Sequence, residues 1–471
     1  MLIAFAALAL GCGNQSVHLS LGTTPGDVVV SWSASRPGGA KLWFAWPGES
    51  PGEPASWGLG VNANSTDVLN NTDGGDAWRV TYVHHATIPH DAGWSEGSTF
   101  LYSVSAADGS GSRSQCIFNT SGSAQQTRGG GRPATLAIFG DLGVKEQDGA
   151  NWTLARLKQH LRNNDPSGPH FDAVLHVGDF AYDLKDGGGR TGEEFLTDMQ
   201  DVASAVPYLA CPGNHERDCP HAAGAGCTDP PYSNYRGWFG SSMPAPRNAS
   251  ARAMYWSADI GYAHVVSINT DGCLLGHSAA QAAALAEQHA WLEADLARAH
   301  ANRAKVPWVV VIGHEMMYST HDASHVAQAK LLRDGGAMCT DGFEPLFFDY
   351  GVDLYFSGHE HVYERFQRTL RGAAHANATA YIVVGNAGNR EFPYMNGSAV
   401  AGFVYDMPAY ESFRAASPSG FGLLELSDPT TMVWTQYNAL TGLPIDTHTY
   451  KRSDGWGGGR RAHQRTGLGE L

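Results

Sequence analysis

Two histidines bracket a glutamate in Gly358-His359-Glu360-His361, directly after the apolar run Val352–Phe356. Imidazole is the commonest metal ligand and the side chain that carries protons near neutral pH. If the stretch continues as a strand, residues 359 and 361 share a face. The same kind of ending recurs along the chain. "ATLAIFGD" stops at Asp141, "FDAVLHVGD" at Asp179, "VPYLACPGNH" at Asn214 and His215, and "VPWVVVIGH" at His314. Taken singly, each has an ordinary explanation. An Asp after a strand caps a helix or forms a turn, and a lone His is commonly satisfied within a core. Taken together, five strand ends carry oxygen or nitrogen donors, and no C-x-x-C is present. That donor set suits a metal site without thiolates.

Something must bring such distant residues together. The runs that precede them are nearly continuous in apolar residues, as strands covered on both faces are. They imply an α/β layered fold. Helical spacing of Leu154, Leu157 and Leu161 marks an intervening helix. Ser278-Ala-Ala-Gln281 reads as a capping box opening a helix with Leu285, Trp291, Leu292 and Leu296. In open α/β sheets ligands bind beyond the carboxyl ends of the strands, so these endings are expected to converge. The N-terminal part differs. "DVVVSWSA" (Asp27–Ala34), "KLWFAW" (Lys41–Trp46), "YVHHATI" (Tyr82–Ile88) and "TFLYSVSA" (Thr99–Ala106) are short strands between turn residues, which suggests a β-sandwich.

We therefore expect a sandwich over 13–123, a flexible linker over 124–133, an α/β domain over 134–451 and a disordered tail over 452–471. Residues 1–12, with the apolar run Leu2–Leu10, read as the remnant of a secretory signal. Sequons at Asn14, Asn64, Asn70, Asn119, Asn151, Asn248, Asn377 and Asn396 fit a glycosylated secreted protein. Seven cysteines become six if Cys12 leaves with the signal, an even number compatible with disulfides, with Cys219 and Cys227 the expected pair. A net charge of −15 argues against nucleic acid as a partner. No further segment is long and apolar enough to span a membrane.

The ordered set D-x-G (Asp141–Gly143), G-D-x-x-Y (Gly178–Tyr182), G-N-H-E (Gly213–Glu216), V-x-x-H (Val311–His314) and G-H-x-H (Gly358–His361) resembles the calcineurin-like metallophosphoesterases. The tyrosine in G-D-x-x-Y, with "GHEHVYER" and "YIVVGNAGNRE" (Tyr381–Glu391), is similar to the purple acid phosphatases of the plant type. The resemblance covers roughly Ser16 to Tyr450. It implies a metallophosphoesterase sandwich, a βαβαβ core of two sheets flanked by helices, behind a fibronectin-III-like domain. It also implies that Asp141, Asp179, Tyr182 and His361 hold Fe(III), and that Asp179, Asn214, His314 and His359 hold a divalent ion (Zn, Mn or Fe). Asp179 would bridge them.

The implied function is a secreted acid phosphatase, extracellular or vacuolar-lysosomal, acting on phosphate monoesters through a metal-activated hydroxide. Two metals ~3.5–4 Å apart neutralise phosphate oxygens and supply that hydroxide. Hard carboxylate and phenolate donors favour Fe(III), while imidazole and amide oxygen suit the divalent ion. His215, next to Asn214, is assigned to leaving-group protonation or phosphate stabilisation. A homodimer is compatible with this picture. The family pattern is broken at one place. Two adjacent substrate histidines are replaced by the separated His321 and His325, and Met316 stands where proline is common. A phosphodiesterase or nucleotide pyrophosphatase would use the same strand ends, and an inactive binding protein would not need them all.

Overall fold

The computed structural model describes residues 16–24, 26–35, 37, 40–45, 59–63, 65–71, 79–89, 101–105, 118–119, 131–145, 148–162, 170–217, 231–244, 246, 253–274, 279–336, 342–389, 391, 406–416 and 419–452. Eight strands precede residue 120: β1 (His18–Leu21), β2 (Val28–Ala34), β3 (Lys41–Ala45), β4 (Leu59–Asn62), β5 (Ser65–Asn71), β6 (Arg79–Ile88), β7 (Leu101–Ser105) and β8 (Phe118–Asn119). They pair antiparallel into two sheets, ordered β1-β2-β6-β5 and β4-β3-β7-β8. Alternate residues of both sheets face one shared core, including Val28, Val30 and Trp32 from one and Leu42, Phe44, Tyr102 and Val104 from the other. The expected all-β region is present.

From residue 134 strands and helices alternate: β9 (Ala134–Phe139), α1 (Asp148–Arg162), β10 (Ala173–His176), α2 (Asp186–Ala203), β11 (Tyr208–Ala210), α3 (Ser233–Phe239), β12 (Trp256–Ile260), β13 (Ala263–Ser267), α4 (Ala279–Ala301), β14 (Trp308–Ile312), α5 (Ala323–Asp334), α6 (Phe343–Tyr350) and β15 (Leu354–Ser357). Seven strands complete it: β16 (Tyr363–Leu370), β17 (Ala373–Ala374), β18 (Ala380–Val384), β19 (Glu411–Ala415), β20 (Gly420–Asp428), β21 (Thr431–Asn438) and β22 (Pro444–Lys451). One sheet runs β11-β10-β9-β20-β21-β22, with β9, β10 and β11 parallel. The other runs β12-β13-β14-β15-β18-β16-β17, with β13, β14, β15 and β18 parallel and β19 beside β16.

Period-two alternation divides the apolar residues of the second sheet between two cores. Val310, Ile312, Leu354, Phe356, Ile382 and Val384 pack with Leu136, Ile138 and Leu424 of the first sheet. Val309, Val311, Tyr355, Tyr381 and Val383 turn the other way, onto Leu292 and Leu296 of α4, Leu332 of α5 and Phe347 of α6. This is why β14 reads as an unbroken apolar run. Leu154 and Leu157 are buried on α1 as their spacing requires, while Ser278 lies outside the described residues.

The sandwich leans on α2 and the residues after it. The Thr81 hydroxyl donates to Glu193 at 2.6 Å, and the Arg79 guanidinium pairs with the same carboxylate. Tyr102 donates to the Ser204 carbonyl at 2.6 Å, and the Val17 amide donates to Gln200 at 3.1 Å. The expected flexible linker needs correction at its end. Gly131 donates to the Gly261 carbonyl and Arg132 lies 3.9 Å from Asp172, so these residues are tied to the domain that follows.

Cys211 corrects the cysteine reading. It is a buried free thiol on the strand-end segment after β11. Cys273 is disulfide-bonded to a residue outside those described. Cys12, Cys219 and Cys227 lie outside them as well, as does the tail from residue 453. Asn151 and Asn377 are exposed; the other six sequon side chains are outside the described residues. No described helix is long and apolar enough to cross a membrane.

His264 shows how sheet and helix are joined. On β13 it lies 2.6 Å from Asp259 of β12 and 2.9 Å from Asp295 of α4. Burial alone would depress its pKa, but the two carboxylates prevail and raise it to about 9. A histidine raised on folding contributes stability that is complete below its unfolded pKa, 6.5, and is lost as pH rises through about 9. His264→Gln should therefore cost about 3 kcal/mol near pH 5.5 and little above pH 9. Thermal melts of both proteins across that range measure the difference.

Candidate metal centre

The carboxyl ends of β9, β10, β11, β14 and β15 meet at one edge, where their following loops hydrogen-bond to one another. Asp141 N donates to the Gly178 carbonyl at 3.1 Å and Gly143 N to the Phe180 carbonyl at 2.8 Å. Gly358 N donates to the His314 carbonyl at 2.9 Å. Two glycines permit the close approach. A Cβ on Gly213 would stand 2.2 Å from Asp179 Oδ1, and one on Gly358 would stand 2.3 Å from Asp141 Oδ2.

All seven residues expected as ligands come together, in two groups. In the first, the Tyr182 hydroxyl donates to Asp141 Oδ1 at 3.2 Å, and His361 Nε2 lies 3.0 Å from Tyr182 Oη and 3.5 Å from Asp141 Oδ1. In the second, His314 Nε2 lies 3.1 Å from Asp179 Oδ2 and 2.9 Å from Asn214 Oδ1, and His359 Nδ1 lies 2.9 Å from that same amide oxygen. Ligand atoms of Asp179, His314 and His359 all lie within 4.8 Å of one another. The charge of Asp179 acts on both Asp141 and Tyr182 of the first group. The strand reading of His359 and His361 is corrected. β15 ends at Ser357 and β16 begins at Tyr363, so the two histidines occupy a turn and diverge, one into each group.

The backbone is held in an unfavourable conformation at four of these positions. Asp141, Asp179, Tyr182 and His359 have φ of 62°, 53°, 53° and 67°. Each non-glycine residue in the left-handed region costs on the order of 1–3 kcal/mol and persists only where its surroundings impose it. Here the loop-to-loop hydrogen bonds impose it, and the strained positions coincide with the polar edge.

The donor chemistry fits a pair of cations. His314 Nδ1 donates to the Val177 carbonyl at 2.9 Å. In the neutral ring Nε2 then bears a lone pair, and it faces the Asn214 amide oxygen and the Asp179 carboxylate. Three lone-pair atoms so close repel one another unless a proton or a metal ion lies among them. Burial pushes the Tyr182 phenol well above its usual range, and Asp141, Asp179 and Glu391 push it further. A phenol so placed ionises only against a strong cation. Burial alone would raise Asp179 too, but His314 and His215 bring it below the usual carboxylate range.

His215 sits at the rim of the second group. Its amide donates to Asp179 Oδ1 at 2.9 Å, its ring lies 4.3 Å from that of Tyr182, and Nδ1 is 3.4 Å from Asp183. Burial would lower its pKa; Asp179 and Asp183 raise it to about 9. His321 and His325 are brought together after all. Their Nδ1 atoms meet the two oxygens of Glu360 at 2.5 and 2.7 Å. The His325 ring lies 4.6 Å from that of His359.

Three supporting carboxylates escaped the sequence reading. Glu216 accepts the amides of Asp179, Phe180 and Gly213 at 2.8, 3.0 and 2.9 Å and so fixes the loop that carries Asp179. Glu315 Oε2 lies 3.6 Å from His359 Nε2, and neither atom has a hydrogen-bond partner among the described residues. Their facing positions suit an Nε2–H donor, which leaves the Nδ1 lone pair directed at the second group. Glu360 is the third. Each directly follows an expected site histidine, His215, His314 or His359, in G-N-H-E, H-E and G-H-E-H, and that adjacency was the available signal.

Comparison with known proteins identifies the family of the chain. The calcineurin-like phosphoesterase family matches residues 134–363, and the iron/zinc purple acid phosphatase-like C-terminal family matches residues 378–447. The chain is 32% identical to human acid phosphatase type 7 over 385 residues, 81% of this chain and 75% of the relative. It is 31% identical to purple acid phosphatase 22 of Arabidopsis thaliana, over 64% of this chain and 60% of the relative. Its fold is that of a purple acid phosphatase from yellow lupin (Lupinus luteus) seeds, with a TM-score of 0.70 at 19% identity, over 94% of this chain and 75% of the lupin chain. With both family matches falling in order along 134–447 and the human relative 32% identical over 81% of this chain, the chain belongs to the purple acid phosphatases of the calcineurin-like phosphoesterase superfamily.

Proposed function

We propose that this chain hydrolyses phosphate monoesters with an Fe(III) and a divalent metal held at the shared strand edge. The observation that carries the reading is the meeting of lone-pair donors in two groups, one containing a buried phenol. Asp141, Asp179, Tyr182 and His361 would hold the iron. Asp179, Asn214, His314 and His359 would hold zinc, manganese or ferrous iron, with Asp179 common to both. When bound, the two ions neutralise the phosphoryl oxygens and activate a water in acid solution.

The chain's own residues do the rest. Glu216 keeps the Asp179 loop in its strained form. Glu315 directs His359. His215, gripped through its amide by Asp179 and through its ring by Tyr182 and Asp183, presents an imidazole at the rim, and protonates the leaving oxygen or stabilises the phosphoryl group. His321 and His325 contact the ester from the opposite wall. The sandwich over 13–123 is read as fibronectin-III-like, joined through 124–133 to the phosphatase domain over 134–451. Exposed sequons at Asn151 and Asn377, the disulfide at Cys273 and the apolar N-terminal run support passage through the secretory route, to the exterior or an acidic organelle.

Purified protein should contain about two metal ions per chain, one of them iron, with a visible phenolate-to-iron absorption band. Tyr182→Phe should abolish the band. A colourless protein with iron bound would refute Tyr182 as a ligand. p-Nitrophenyl phosphate should be cleaved well ahead of bis-p-nitrophenyl phosphate; the reverse order would establish a diesterase. His215→Ala should keep both metals and lower kcat by about 10²–10⁴, and an unchanged kcat would remove its assigned role.

A further inference from the structure

Glu360 lies between two expected ligands, yet its carboxylate hydrogen-bonds to residues outside both metal-binding groups. Its carboxylate is 2% exposed, and its two oxygens are taken by two imidazoles: Oε2 by His321 Nδ1 at 2.5 Å and Oε1 by His325 Nδ1 at 2.7 Å. The Ser319 hydroxyl adds a longer donation to Oε1 at 3.4 Å. The two rings are 19% and 28% exposed, so a buried anion grips partly solvated rings from beneath. The histidines come from different local structures. His321 precedes the Asp322 N-cap of α5, and His325 lies in the helix's first turn, its amide directed at the Asp322 carboxylate. One carboxylate spans the four-residue interval and unites them.

We propose that Glu360 is a positioning residue that sets the orientation of His321 and His325 toward the phosphoryl group of the substrate. A carboxylate accepting at Nδ1 makes that nitrogen the N–H of each ring and fixes the ring plane. The His325 ring so fixed packs edge-on against that of His359, 4.6 Å away, and so stands beside the second metal-binding group. In this chain a single glutamate inside G-H-E-H performs a task that adjacency of two histidines in sequence would otherwise perform. Glu360 acts only through the two rings and touches no substrate itself. The inference rests on the phosphatase reading for its kinetic consequences, but its effect on phosphate binding can be read without turnover.

The test uses the full-length, metal-loaded protein as wild type, Glu360→Ala, Glu360→Gln, the double variant His321→Ala/His325→Ala, and the triple variant. Metal content and the visible band are measured first, then p-nitrophenyl phosphate kinetics, then binding of inorganic phosphate by titration calorimetry. Glu360→Ala should retain both metals and the band, raise KM and the phosphate Kd roughly tenfold, and change kcat by less than about threefold. Glu360→Gln, whose amide oxygen can accept from one ring only, should fall between. Adding Glu360→Ala to the double variant should change either constant by less than about twofold. Wild-type KM and phosphate affinity in Glu360→Ala would overturn the proposal. So would metal loss in both Glu360 variants, which would make Glu360 a support of the metal loop, or a full additional loss in the triple variant. If wild type bound metals but hydrolysed no ester, the phosphatase reading would fail, and phosphate calorimetry alone would still decide the role of Glu360.

Discussion

A buried anion is the constraint on which this molecule turns. Asp179 is 1% exposed, and burial by itself would neutralise it. It stays ionised because His314 approaches at 3.1 Å, the His215 amide donates to it, and Glu216 holds its own backbone amide. Those partners belong to loops after β11 and β14 and to the segment that follows Asn214. The carboxylate can exist only where those loops meet, and the loops meet only because the strands beneath them are parallel and in register.

The register has an energetic task as well. Four left-handed backbones at Asp141, Asp179, Tyr182 and His359 together store on the order of several kcal/mol. Such strain survives where the surrounding structure would lose more by relaxing. Two sheets with a common core, and helices α4, α5 and α6 on the outer face, hold the strand ends rigidly enough to impose it. Glycines at 213 and 358 admit the carboxylates that a side chain would displace. The polar edge is thus strained and crowded because the apolar layers behind it are not.

The N-terminal sandwich joins this economy at one remove. Glu193 and Gln200 on α2, and Ser204 at its end, receive its hydrogen bonds. Helix α2 follows directly on the loop that carries Asp179, Tyr182 and Asp183. The sandwich therefore packs against the element that continues from the strained loop, which gives the all-β domain a structural connection to the polar edge.

Much of this was legible in the residues themselves. Near-continuous apolar runs announced strands covered on both sides, because a strand between two cores has no polar face to show. The polar residue ending each run was visible for the same reason: after Phe139, Val177 and Ser357 a glycine and then Asp141, Asp179 or His359 break the apolar pattern at once, although Asp141 and Asp179 stay buried. Only the tertiary structure could decide what pairs with what. His359 and His361 read as neighbours on one strand, yet a turn with a left-handed residue sends them to different groups. His321 and His325 read as scattered, yet one carboxylate 35 residues beyond His325 collects them. Cys211 read as one of an even set, yet it is a buried free thiol. Glu216, Glu315 and Glu360 were in plain sight beside the expected ligands. A carboxylate's role as support depends on which amides and imidazoles fold around it, and those come from loops that sequence spacing alone does not bring together.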